Sequence, residues 1–311
     1  MIAPAYDGYF ADPFVWRHGD RWFAVGTGPA EAAGNVRTDG VFPLLQSTDF
    51  RSWHRIGEAL ERPDPAFGDS YWAPEIAAQD GIFYLYYSVG FGDSRHHLRV
   101  AVATRPEGPY GDAGALTDPA LCPFAIDPHP FRDIDGTWWL FHARDFLDAG
   151  GDIRAGTALV VQRLGTMTQL AGDPSVVLRA RHDWQRFLAD RLMYGRRFDW
   201  HTLEGPCVRR HGGVYWCFYS GGRWETDSYG VDYAVANRVL GPWSDHGGEA
   251  APRLLRTIPG QLIGPGHNSI VTGADGREYV AYHAWDAHMR MRRMYVSPLT
   301  WDAAGPRLLS R

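Results

Sequence analysis

The chain has 311 residues, 45% apolar and 22% charged, with 36 glycines, 21 prolines and 43 aromatic side chains (13 Trp, 15 Tyr, 15 Phe). This is a globular composition with enough apolar surface for a sizeable core, and no window approaches the ~18 apolar residues of a membrane span. The net charge of −5 is spread along the chain, and its 31 positive side chains, all arginines, form no basic cluster, which argues against a nucleic-acid partner.

Met1-Ile-Ala-Pro-Ala-Tyr-Asp has neither a basic n-region nor an apolar h-region, so a cytoplasmic protein is expected, the alternative being the mature form of a secreted one. Cys122, Cys207 and Cys217 are too few and too far apart for a disulfide framework or a structural zinc site.

In chain order, one phrase recurs five times: an acid or His beside Gly or Pro, an apolar stretch, a Gly-centred turn, and an aromatic strand. The copies are ADPFVWRHGDRWFAVGT from Ala11, WAPEIAAQDGIFYLYYS from Trp72, IDPHPFRDIDGTWWLFHA from Ile126, LEGPCVRRHGGVYWCFYSG from Leu203 and GPGHNSIVTGADGREYVAYHAW from Gly264. Their markers Asp12, Glu75, Asp127, Glu204 and His267 are 63, 52, 77 and 63 residues apart. A third strand follows each hairpin: Phe42–Ser47, His97–Thr104, Thr157–Arg163, Ser228–Val235 and Met291–Val296. Such repeats, without long helical periodicity, predict an all-β fold: a single-domain five-bladed β-propeller over residues 1–311. The 77-residue gap is read as an insertion carrying a short helix near Asp183–Met193, where Trp184, Phe187, Leu188 and Leu192 recur at helical spacing. Residues Met1–Phe10 are expected to close the ring against the last strand of the fifth blade.

In a propeller the first strand of each blade lines the central channel, so the five markers should converge on one axis. One Asp-Pro is ordinarily a turn cap. Three carboxylates at equivalent positions with apolar neighbours (Phe10, Ala11 and Phe14; Ile126; Leu203) are costly to bury without a task. Carboxylates with pKa values pushed apart suit glycoside hydrolysis, and sugars favour the aromatic platforms abundant here.

These residues resemble the family 43 glycoside hydrolases, inverting enzymes on a five-bladed propeller. The match covers essentially the whole chain through Ala11-Asp12-Pro13, Trp72-Ala73-Pro74-Glu75, Ile126-Asp127-Pro128, Glu204-Gly205-Pro206, Gly266-His267-Asn268 and Tyr282-His283-Ala284. The resemblance implies that Asp12 is the general base, Glu204 the general acid and Asp127 the residue that orients and tunes the acid. Apolar surroundings and the nearby Asp127 would raise the Glu204 pKa, and inversion requires the Asp12 and Glu204 carboxyls to lie about 6.5–9.5 Å apart.

By the same resemblance, His267 faces a hydrated cation such as calcium near the channel centre, although no dedicated calcium loop is present; no organic cofactor is expected. The alternative for His267 is a core histidine. Arg292 aligns with a substrate-pocket arginine or decorates an edge strand. Trp72 and His201 are expected to contact the sugar, and Glu75 to bind the sugar or to brace the channel.

The family cleaves arabinofuranosides, xylosides, arabinan or galactan. A short tail after the fifth repeat and long loops at Ala143–Gly156 and Arg179–Arg197 point to an exo-acting α-L-arabinofuranosidase on oligosaccharides, with β-D-xylosidase or endo-arabinanase as alternatives. A retaining invertase-type enzyme expects Arg before the middle Asp-Pro, where Ile126 stands. A non-catalytic sugar-binding propeller would have lost an acid. Oligomeric state is not legible.

Overall fold

Strands of four to sixteen residues, joined by glycine turns, make up nearly all of the regular structure. The computed structural model describes residues 2–29, 39–246 and 248–309. The first repeat forms the antiparallel meander β1 (Ala11–His18), β2 (Arg21–Thr27), β3 (Gly40–Ser47) and β4 (His54–Glu61). The second forms β5 (Ser70–Gln79), β6 (Ile82–Phe91), β7 (Ser94–Ala103) and β8 (Gly111–Ala115), and the third β9 (Ala125–Arg132), β10 (Trp138–Phe146), β11 (Gly156–Thr166) and β12 (Gln169–Leu178). The fourth contains β13 (Arg186–Met193), β14 (Arg196–His211), β15 (Val214–Gly221) and β16 (Gly230–Ala236). The fifth runs β17 (Ile263–Thr272), β18 (Glu278–Trp285), β19 (Arg292–Asp302) and β20 (Gly305–Leu308).

The units are arranged radially. Their innermost strands touch in a ring, β1 against β5, β5 against β9, β9 against β14, β14 against β17 and β17 against β1. An apolar cluster fills each seam: Phe42 with Ile76, Leu98 with Leu140, Phe141 with Leu203, Phe218 with Ile270, and Met294 with Val15. The inner strands of each sheet are thereby buried on both faces, which one sheet alone cannot achieve, while outer strands such as β8 and β13 stay largely exposed.

The third and fourth units share one sheet through a short parallel contact, Gly156 opposite His201 and Thr157 opposite Thr202. A Cβ at Gly156 would lie 1.9 Å from the His201 carbonyl oxygen, so only glycine permits this approach. The N-terminal segment lies along β19 through Ala5 N–H to Met294 O (2.7 Å) and Phe10 N–H to Arg292 O (2.9 Å). It thus meets the third strand of the fifth unit, with β20 outermost; Met1 is outside the described residues.

The expected helix at Asp183–Met193 is absent. A single 3₁₀ turn, Asp183–Gln185, leads into β13, which pairs antiparallel with the start of β14. Tyr194 (φ 51°) and Gly195 (φ 74°) form the two-residue turn between them, the left-handed pair favoured in tight hairpins. Backbone pairing and this turn override the helical spacing. Trp184 stacks on Tyr219, whereas Leu188 and Leu192 remain exposed.

Candidate active site

Each innermost strand is broken by the same device, in which two residues oppose one on the neighbouring strand: Asp12-Pro13, Ala73-Pro74, Asp127-Pro128, Gly205-Pro206 and His267-Asn268. The first residue of every pair is left-handed, with φ between 48° and 59°. Proline is tolerated at the second position because a bulged residue has no ladder bond to lose. Neighbouring units accept the freed N–H groups: Asp12 N–H donates to His283 Nδ1 (3.1 Å), Ala73 N–H to Thr27 Oγ1 (2.8 Å), Gly205 N–H to Asp127 Oδ2 (2.9 Å) and His267 N–H to Ser220 Oγ (2.7 Å).

The bulges correct the expectation that the carboxylates occupy equivalent positions. Asp12, Asp127 and His267 are equivalent, whereas Glu204 precedes its bulge and Glu75 follows its own. Glu75 Oε2 is 2.7 Å from His129 Nδ1, and His129 Nε2 accepts the Val208 N–H (2.9 Å). That chain assigns Glu75 to bracing the channel.

Asp12 Oδ1 lies 3.1 Å from His283 Nδ1, 3.5 Å from His267 Nδ1 and 3.6 Å from Arg292 Nη1. Asp127 Oδ2 holds the Gly205 amide beside Glu204 and is 3.9 Å from the same His267 nitrogen. Asp12 and Asp127 are buried, while Glu204 keeps partial exposure and accepts the Tyr229 hydroxyl proton on Oε1 at 2.6 Å.

Burial opposes the charge on Asp12, but His267, Arg292 and His283 outweigh it and hold the carboxyl well below the usual carboxylate range. Burial pushes His283 down to about 4 and lowers His267, so both imidazoles are neutral near pH 7 and Arg292 is the standing cation. Burial, opposed by the Tyr229 hydrogen bond and reinforced by Asp12, pushes Glu204 up to about 7. Asp127 is also raised, first by burial and then by Glu204 and Asp12. One carboxyl is thus kept ionised and another can carry a proton near neutrality, the division of labour expected of a base and an acid.

A pH profile follows. Glu204 carries its proton below about 7 and loses it above, so kcat/KM on substrates with sugar leaving groups should decline as pH rises through that value. Asp12 stays ionised down to the ordinary aspartate pKa of about 4 and below, so its titration should impose no acid limb between these values. A profile flat from pH 6 to 9 would remove Glu204 from the acid role.

Arg292, predicted to reach the pocket, is positioned against Asp12. Its Nε and Nη2 donate to the Tyr9 hydroxyl (3.0 and 2.9 Å), and the guanidinium lies 4.4 Å over the Trp224 ring. Trp224 is stacked with Trp285, whose indole N–H donates to the Trp224 carbonyl (2.7 Å). Trp72 is half-buried and stacked on His96 with ring centroids 3.6 Å apart. His201 stands apart from the acids. It lies three residues before Glu204, on the opposite face of β14, with Nδ1 against the Asp199 carbonyl (2.9 Å) in a cleft lined by Ile153, Arg154, Arg186 and Phe198.

The surroundings of His267 do not form a calcium cage. Among the described residues no group of three or more His, Cys, Asp or Glu side chains converges as a metal site, and calcium requires six to eight oxygen ligands. Protein ligands alone thus do not cage a cation there; the hydrated cation expected beside His267 would be held by its imidazole and by water.

Tyr229, Tyr9, Trp224 and the role of His283 are not visible in the sequence reading. His283 stands in a quoted motif, but nothing distinguishes Tyr229 from the chain's other tyrosines before the fold brings it to Glu204.

Residues 3–306 match the family model described as glycosyl hydrolases family 43. The extracellular exo-α-(1→5)-L-arabinofuranosidase of Cellvibrio japonicus is 26% identical over 318 residues, covering 94% of this chain and 84% of the relative. The extracellular endo-α-(1→5)-L-arabinanase 1 of Bacillus subtilis is 25% identical, covering 95% and 86% respectively. The crystal structure of a thermostable family-43 glycoside hydrolase superposes with a TM-score of 0.81 at 25% identity, covering 97% of this chain and 93% of that one.

Proposed function

The chain belongs to family 43 of the glycosyl hydrolases, and from that membership we propose that it is an inverting, exo-acting α-L-arabinofuranosidase on arabinose-containing plant oligosaccharides. The observation that carries the mechanism is the opposed tuning of Asp12 and Glu204. Asp12 takes a proton from water as the water oxygen bonds to the anomeric carbon. The glycosidic C–O bond breaks, and Glu204 delivers its proton to the departing oxygen. Asp127, through the Gly205 amide, keeps the acid's backbone in place. Arg292 lends Asp12 its charge and holds an indole face beside the site.

Exo action is supported by a wall at the end of the strands that carries the acids. The loop after β10 is tied to the β12–β13 connection by Arg179–Asp148 (3.1 Å) and Arg181–Asp152 (2.9 Å), and the β13–β14 hairpin to the end of β10 by the Tyr194 hydroxyl on Asp145 (2.7 Å). Arg191 reaches Asp93 in the β6–β7 turn at 3.9 Å. Such a wall suits a pocket that accepts a chain end rather than an open groove. The arabinose assignment is supported by the names of the two relatives above.

The test is hydrolysis of aryl α-L-arabinofuranoside, β-D-xyloside, β-D-galactoside and β-D-fucoside, with proton NMR of the first-formed anomer. Preference for the arabinofuranoside, the inverted anomer, and release of single arabinose units from arabino-oligosaccharides are expected. The retained anomer would overturn the mechanism, and internal cleavage the exo reading.

A further inference from the structure

Tyr229 lies just before β16, 1% exposed, with its hydroxyl donating to Glu204 Oε1 at 2.6 Å. Its ring is nearly parallel to that of His283 (5.8 Å, 10°), the residue against Asp12, and rests over Gly266, where a Cβ would fall 1.9 Å from it. The ring is therefore gripped on two sides by elements of the fifth unit while its hydroxyl reaches the fourth.

A carboxylic acid has two oxygens and one proton. With Oε1 already accepting from Tyr229, the proton of Glu204 is driven to Oε2. We propose that Tyr229 is a positioning residue that presents the acid's proton on Oε2 to the leaving oxygen and then holds the resulting carboxylate through Oε1. In the step the Oε2–H bond breaks, the proton goes to the glycosidic oxygen, and the electron pair of the breaking C–O bond goes to that oxygen. Tyr229 keeps its own proton throughout. The charged or ionisable groups acting on Glu204 are Asp127, Asp12, Arg292 and Tyr229. Of these, Tyr229 alone makes the short hydrogen bond to its carboxyl.

This rests on Glu204 being the acid, so the experiment separates the two. Tyr229→Phe keeps the ring over Gly266 and beside His283 while deleting the hydroxyl. A hydrogen bond to a charged group of this kind is worth about 10- to 100-fold in rate. On a substrate with a sugar leaving group, kcat should fall by about that factor, with KM nearly unchanged. On the nitrophenyl glycoside of the same sugar, whose leaving group needs little acid help, kcat should stay within about threefold. The alkaline limb should move to higher pH, because a lost donor to the carboxylate raises its pKa.

Should Tyr229→Phe fail to fold, Gly266→Ala supplies the readout by pushing the ring off Glu204 with the hydroxyl intact; the same leaving-group dependence is expected. Equal losses on both substrates, or an alkaline limb that does not move, would overturn the proposal. If Glu204→Gln shows no leaving-group dependence in parallel, the acid assignment itself has failed, and not merely the role of Tyr229.

Discussion

Asp12→Asn should lower kcat/KM by about 10³- to 10⁴-fold, the upper part of the range for removing a general base, and equally for nitrophenyl and sugar leaving groups. The independence from leaving group is the diagnostic part. Water must lose its proton whatever departs, and an amide cannot take it. The substitution is nearly isosteric, so the left-handed bulge and the neighbouring His267 and His283 keep their places, but Arg292 loses the carboxylate it faces at 3.6 Å. Because an unpaired buried cation is destabilising, the rate should be read beside a thermal melt, a lower Tm with a folded baseline being expected. Retention of a tenth of wild-type activity on either substrate would exclude Asp12 as the base.

Glu204→Gln should divide the substrates. With a sugar leaving group the departing oxygen needs a proton, and the loss should be about 10²- to 10⁴-fold. With nitrophenolate the loss should be about tenfold or less. The alkaline limb near pH 7 should vanish in the variant, because the group whose proton is lost there is gone. Equal losses on the two substrates, with the limb intact, would mean that the proton comes from another group. Asp127, also raised by burial and the neighbouring acids, would then be next to test.

The sequence exposes the candidate acids through a backbone requirement as much as a chemical one. Asp12-Pro13, Asp127-Pro128 and Gly205-Pro206 are bulges, and a proline paired with a left-handed residue is a local signature that survives without any knowledge of partners. The same locality made the hairpins legible, since a Gly turn between two aromatic runs needs nothing beyond its own neighbours. The outermost strands were not legible. β8, Gly-Asp-Ala-Gly-Ala, and β12, with Gly172-Asp173-Pro174 at its middle, form mainly by pairing with an inner strand and carry little apolar alternation of their own. At Asp183–Met193 helical spacing misled for a related reason. The partner that draws this stretch into β13 is the start of β14, across the Tyr194-Gly195 turn.

The sequence alone determined the repeated β architecture and singled out Asp12, Asp127 and Glu204, because each is written in residues a few places apart and repeated along the chain; Arg292 came from the family resemblance and stands in no repeat. Tertiary structure alone decided what surrounds those acids. Arg292 meets Tyr9 from 283 residues away, His283 meets the Asp12 amide from 271, and Tyr229 and Glu204 come together from 25 residues apart through the return of β15. The opposed tuning of Asp12 and Glu204 arises from these contacts and from burial. Both depend on how the ring of strands closes, since a carboxyl's pKa is set by the charges and solvent around it and not by its neighbours in sequence.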